Sequence, residues 1–116
     1  VEAAAKEYPF LRQNPPIVEW SGFLSEGYEL ADADASESVL RAAHDAAFGG
    51  KLKDLTFTAL TDTRFYGLNE NIPSLCFGAN AERMHGFNER VEIESLRKTT
   101  KAIALFVAGW CGVEAA

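Results

Sequence analysis

Residues 93–112 read IESLRKTTKAIALFVAGWCG. Ile93, Leu96, Thr100, Ile103, Val107 and Trp110 recur there at steps of three and four, with Arg97, Lys98 and Lys101 on other faces. That spacing predicts an amphipathic helix with one buried stripe, closed by Gly112. Upstream, Ile72 to Phe77 is a short apolar run ending at Gly78, and Leu55 to Leu60 alternates Thr with apolar residues. Both have the pattern of short strands entering one buried sheet. A second helix is predicted from about Ala35 to Phe48. Asp34 and Glu37 have capping-box spacing, Leu40, Ala43 and Ala47 form the buried stripe, and Gly49-Gly50 supply the positive-φ residues that end it. Helix and strand alternating from residue 35 onward predict an α/β layer structure with parallel or mixed strands.

The first third differs. Residues 1–7 are Ala, Glu and Lys-rich helix formers without an N-cap, after which Pro9, Pro15 and Pro16 break regular structure. Ile17 to Leu30 reads as a strand interrupted near Gly22 to Gly27, and Asp32-Ala33-Asp34 as a linker. Trp20, Phe23 and Tyr28 form an aromatic series without the basic interleaving of a base-stacking surface, so packing or a subunit contact is the expectation.

A chain of 116 residues with 47% hydrophobic and 24% charged residues has room for one core and the composition of a soluble domain. A formal charge of -6 with eleven scattered Lys and Arg excludes nucleic acid as the expected partner. The longest near-continuous apolar run, Ala102 to Val107, is too short to span a bilayer. Cys76 and Cys111 lack CxxC spacing, which fits a reduced cytoplasm; Cys76 is read as an inert core residue and Cys111 as a partly buried helix-end residue.

Two loops carry the candidate chemistry. His85-Gly86-Phe87-Asn88-Glu89 is a polar stretch between a buried strand and the last helix, and Gly78 and Gly86 give the backbone freedom to present the imidazole toward a cleft. Imidazole is the commonest side-chain metal ligand, but a site needs three or four ligands and this stretch offers one. Thr61-Asp62-Thr63-Arg64 follows the strand at Leu55 to Leu60. Asp62 either caps a short helix through Tyr66 or serves a site, and Arg64 offers its planar fork to a substrate carboxylate or to an internal acidic partner. His44, mid-helix beside Asp45, reads as a solvated surface residue.

Thr61-Asp62-Thr63-Arg64-Phe65, Ile72 to Gly78, His85 to Glu89 and Val91 to Leu96 together resemble, in order and spacing, the closing stretch of a known family. It is the acetylornithine deacetylase, succinyl-diaminopimelate desuccinylase and zinc carboxypeptidase family of two-metal amide hydrolases. The resemblance covers about residues 8 to 112. It implies a partial three-layer catalytic α/β domain at 35–116, preceded at 1–31 by the end of a small α+β lid that also dimerises. It also implies His85 as the last ligand of a two-zinc site, with Co or Mn as alternative metals, and Asn88 and Glu89 as residues that position that ligand. Thr61, Asp62 and Arg64 would line the pocket for an N-acyl amino acid or small peptide. The other metal ligands and a glutamate general base precede the lid in that family, so the isolated chain is expected to be inactive. Ala59, Leu60 and Ala79 depart from the common pattern. The contrasting reading is a noncatalytic binding or oligomerisation module.

Overall fold

The computed structural model describes residues 1–114. Two helices dominate: α3, Asp34–Phe48, and α5, Ile93–Cys111. They pack together as the main tertiary contact. Helix α3 starts one residue before the position expected, with Ala33 as N-cap and no side-chain cap bond. Asp34 thus lies inside the first turn with Glu37, where both carboxylates favour the positive end of the helix dipole. Ser36 Oγ donates to the Ala33 carbonyl (3.0 Å) at the same end. At the other end Gly49 adopts φ 75°, and its N–H donates to the Asp45 carbonyl. The expected stripe holds: Leu40 and Ala43 are buried and Ala47 half-buried.

Helix α5 has the expected limits but buries a different face. Ser95, Thr99 and Ala102 are buried and Phe106 half-buried, while Ile93, Leu96, Thr100, Ile103, Val107 and Trp110 are exposed. Small side chains let two helix axes approach closely, and a Cβ on Gly109 would already meet Val39 Cγ1 at 3.0 Å. The larger apolar residues lie to one side: Ile103, Phe106 and Trp110 line an apolar cavity of about 560 Å³ with Leu75 and Phe77.

Between these helices, α4 runs over Thr63–Glu70 and ends at Asn71 in the left-handed region (φ 52°). It extends beyond Tyr66, with Gly67 in its interior. Among the described residues the one ladder is a hairpin of β1, Ala81–Glu82, and β2, Arg90–Val91, with Ala81 opposite Val91 and Glu82 opposite Arg90. An Arg90–Glu82 ion pair spans the second of these positions. The segments expected as strands, Ile17–Leu30, Leu55–Leu60 and Ile72–Phe77, form no ladder. A strand is stabilised by a neighbour supplying hydrogen-bond partners, and these segments find none among the described residues. The architecture is mixed helix and sheet.

The first third holds two short helices, α1, Glu2–Ala5, and α2, Pro9–Gln13. Pro9 begins α2 instead of breaking structure, because the first helical position needs no N–H donor. Trp20 and Phe23 are exposed, but Tyr28 is docked and half-buried: its hydroxyl accepts the Ser74 N–H at 3.1 Å. Its ring lies where a Gly67 Cβ would fall, 1.9 Å from Tyr28 Cε2. Gly67→Ala is therefore expected to expel the ring and destabilise the chain by about 1–3 kcal/mol, with faster proteolytic cutting between residues 20 and 30. Unchanged cutting and melting would refute that role for Gly67. Cys76 and Cys111 are both exposed, unlike the core and part-buried placements expected. Among the described residues no helix is long and apolar enough to cross a membrane.

Candidate functional site

His85 lies in the loop joining β1 to β2, so the hairpin fixes both ends of the turn that presents it. Arg83, His85 and Asn88 all occupy the left-handed region, with φ of 56°, 60° and 61°. The conformational freedom expected of glycine is thus taken up by other residues: neither Gly78 nor Gly86 has positive φ. Gly86 serves through its missing side chain. Its N–H donates to the Arg83 carbonyl at 2.7 Å, and a Cβ there would sit 2.9 Å from that oxygen. Glu89 Oε1 accepts the His85 backbone N–H at 3.3 Å, which ties the carboxylate to the turn and leaves the imidazole untouched. Asn88 contributes a left-handed backbone, which Asn tolerates better than most residues. The His85 ring is exposed.

The second group sits at the start of α4. Asp62 is the N-cap residue by position but makes no side-chain cap bond; the Thr61 and Asp62 carbonyls accept the N–H groups of Arg64 and Phe65. The hydroxyls of Thr61 and Thr63 bond to each other. Thr61, Thr63 and Arg64 line an open groove of about 1700 Å³ whose walls include α3, residues 51–61 and residues 74–82. His85, Asn88, Glu89 and Asp62 do not line it, although Met84 and Arg90 do. The two candidate groups therefore do not share a wall.

Three arginines line this groove, and their electrostatic states differ. Arg41 is held by Asp54 at 2.7 Å and Glu37 at 3.0 Å; its pKa is raised, first by the hydrogen bond to Asp54 and then by that to Glu37. Arg90 is paired with Glu82. Arg64 belongs to none of the ion pairs among the described residues, Asp62 included. Its guanidinium instead lies over the Phe23 ring, 5.3 Å from the centroid. A positive fork with no carboxylate of its own is open to one from outside.

His44 is not the solvated residue expected. It is half-buried, stacked on Phe48 (centroids 4.4 Å apart) and edge-on to Phe77, and its Nδ1–H donates to the Gly50 carbonyl at 2.9 Å. The four-residue spacing of His44 and Phe48 on one helix was a signal for that stack. Among the described residues no group of three or more His, Cys, Asp and Glu is placed to hold a metal ion. The described residues alone therefore cannot hold a zinc pair; His85 offers one donor.

The sequence comparisons bear on the whole of this region. Residues 17–109 match the model of peptidase family M20/M25/M40. The chain is also similar to the N-formyl-4-amino-5-aminomethyl-2-methylpyrimidine deformylase of Halalkalibacterium halodurans. The two are 27% identical over an alignment 116 positions long, which covers 92% of this chain and 27% of that protein. The chain thus spans about a quarter of the length of the curated relative it matches. Because the family match runs from the segment before α3 through both candidate loops and most of α5, the chain belongs to peptidase family M20/M25/M40.

Proposed function

We propose that this chain is the C-terminal part of a metal-dependent hydrolase that cleaves the amide bond of N-acyl amino acids. The observation that carries the substrate class is the unpaired Arg64 guanidinium on the groove wall beside Thr61 and Thr63. In this reading Arg64 receives the α-carboxylate through charge-assisted hydrogen bonds, and the two threonine hydroxyls contact the neighbouring polar atoms. His85 supplies one nitrogen donor from its hairpin turn, while the other donors and the general base come from the rest of the full-length protein. Residues 1–31 then end a lid through which two copies associate, and residues 35–116 return to a three-layer catalytic domain.

The deformylase of Halalkalibacterium favours a second reading, in which the substrate is an N-formyl aminomethyl group on an aromatic ring. A panel assay of the full-length protein separates the two. N-acetyl, N-succinyl and N-formyl amino acids, their α-carboxamides and an N-formyl aminomethylpyrimidine are the substrates. The carboxylates are expected to exceed their carboxamides in kcat/KM by about 10- to 100-fold, the range of a charge-assisted hydrogen bond. Preference for the pyrimidine over every amino-acid derivative would replace the first reading by the second.

A further inference from the structure

Residues 23–28 cross one face of α4. Arg64 and Gly67 are three residues apart on that helix and so project on the same side. Both are met by the crossing segment: Phe23 lies under the Arg64 guanidinium, and the Tyr28 ring fills the space above Gly67. The Tyr28 hydroxyl, accepting the Ser74 N–H, anchors the far end of the segment to the run that follows α4. Phe23 itself is absent from the groove lining, whereas Arg64 and Tyr28 are part of it. The ring therefore contacts the arginine without reaching the space a substrate would enter.

We propose that Phe23 is a positioning residue that fixes the Arg64 guanidinium for carboxylate selection, with the Tyr28–Gly67 contact holding the segment in place. This rests on the reading that Arg64 meets the substrate's carboxylate. A long arginine on a short helix loses rotamer freedom when it binds a planar anion. An aromatic face attracts the cation and removes part of that freedom in advance, yet accepts none of the in-plane N–H donors that a carboxylate needs. The arrangement also explains why the fork stays free of Asp62, two residues away: the ring holds it instead. Selectivity for acids over neutral analogues is then set partly by an aromatic residue more than thirty positions upstream.

The experiment is a mutant cycle in the full-length protein, read as the ratio of kcat/KM for an N-acyl amino acid to that for its α-carboxamide. Arg64→Ala is expected to collapse the ratio. Phe23→Leu is expected to lower it about 2- to 5-fold, the range of an exposed cation–π contact, mainly through KM for the acid. Phe23→Trp, which keeps an aromatic face, should restore it. In the Arg64→Ala background, Phe23→Leu should leave the ratio where it is, because the ring then has no cation to hold. A Phe23→Leu ratio equal to that of the unsubstituted protein, or an equal further drop in the Arg64→Ala background, overturns the proposal while leaving the role of Arg64 intact. If Arg64→Ala itself fails to change the ratio, the carboxylate reading falls, and the role of Phe23 with it.

Discussion

Replacing His85 by Asn in the full-length protein is expected to lower its bound metal by about one equivalent per chain and to reduce turnover by on the order of 100-fold or more. The bound follows from known behaviour of metal sites. Residues that merely orient a ligand cost roughly 10- to 100-fold when removed, so the ligand itself should cost more. Asn is the informative substitution because position 85 has φ 60°, which Asn adopts with less strain than Ala. The turn, with its Gly86-to-Arg83 hydrogen bond, should survive, and the loss can be assigned to the imidazole. His44→Ala is the contrast. Its ring packs on Phe48 and bonds to Gly50, so the variant should melt earlier, by about 0.5–1.5 kcal/mol of lost aromatic contact, with turnover within about twofold. Metal analysis, thermal melting and kinetics on the same preparations distinguish the two. Full metal content and ordinary turnover in His85→Asn would remove the donor role assigned to this residue.

The contrast between the two histidines shows what could be read from the chain and what could not. Helices α3 and α5 were legible because their signals are local: periodicity, Gly49 and Gly112 at their ends, acidic residues in the first turn of α3. The buried face of α5 was not, since the helix carries two adjacent stripes. Ranking residues by hydrophobicity selects Ile93, Leu96 and Ile103, whereas close approach to α3 selects Ser95, Thr99 and Ala102. The segments at 55–60 and 72–77 have the composition of strands, but pairing depends on a neighbouring strand and no composition supplies one. At the candidate site the loop character of residues 85–89 was readable, but its flanks were not: His85 joins β1 to β2, whereas the apolar run at 72–77 expected as the preceding strand forms no ladder. The left-handed backbone at Arg83, His85 and Asn88 was hidden, because glycine is the usual marker and here Gly86 does a different job. The stack beneath Arg64 joins residues 23 and 64, and a contact so distant in sequence leaves no periodic trace.

The isolated 116-residue chain is expected to show no amide hydrolysis with any divalent metal, and to self-associate at micromolar concentration. For activity the argument is the donor count: the described residues bring no third ligand, or even a cluster, around His85. For association the argument is surface. A closed domain of 12.7 kDa exposes about 6200 Å², yet this chain exposes 10029 Å², and its radius of gyration of 21.1 Å compares with about 13 Å for a compact chain of this length. Large apolar residues are among those exposed: Trp20 at 94%, Phe23 at 76%, and Ile93, Leu96, Ile103, Val107 and Trp110 along α5. An excess of roughly 3800 Å² is the scale that obligate subunit interfaces bury. The charge of -6 opposes association, but at physiological salt a Debye length near 8 Å confines that repulsion, while the hydrophobic drive is undiminished. Light scattering should give a mass well above one chain, rising with concentration, and adding salt should raise it further. A monodisperse monomer at high concentration with a small hydrodynamic radius would show that the chain closes on itself, and the open arrangement described above would have to be given up.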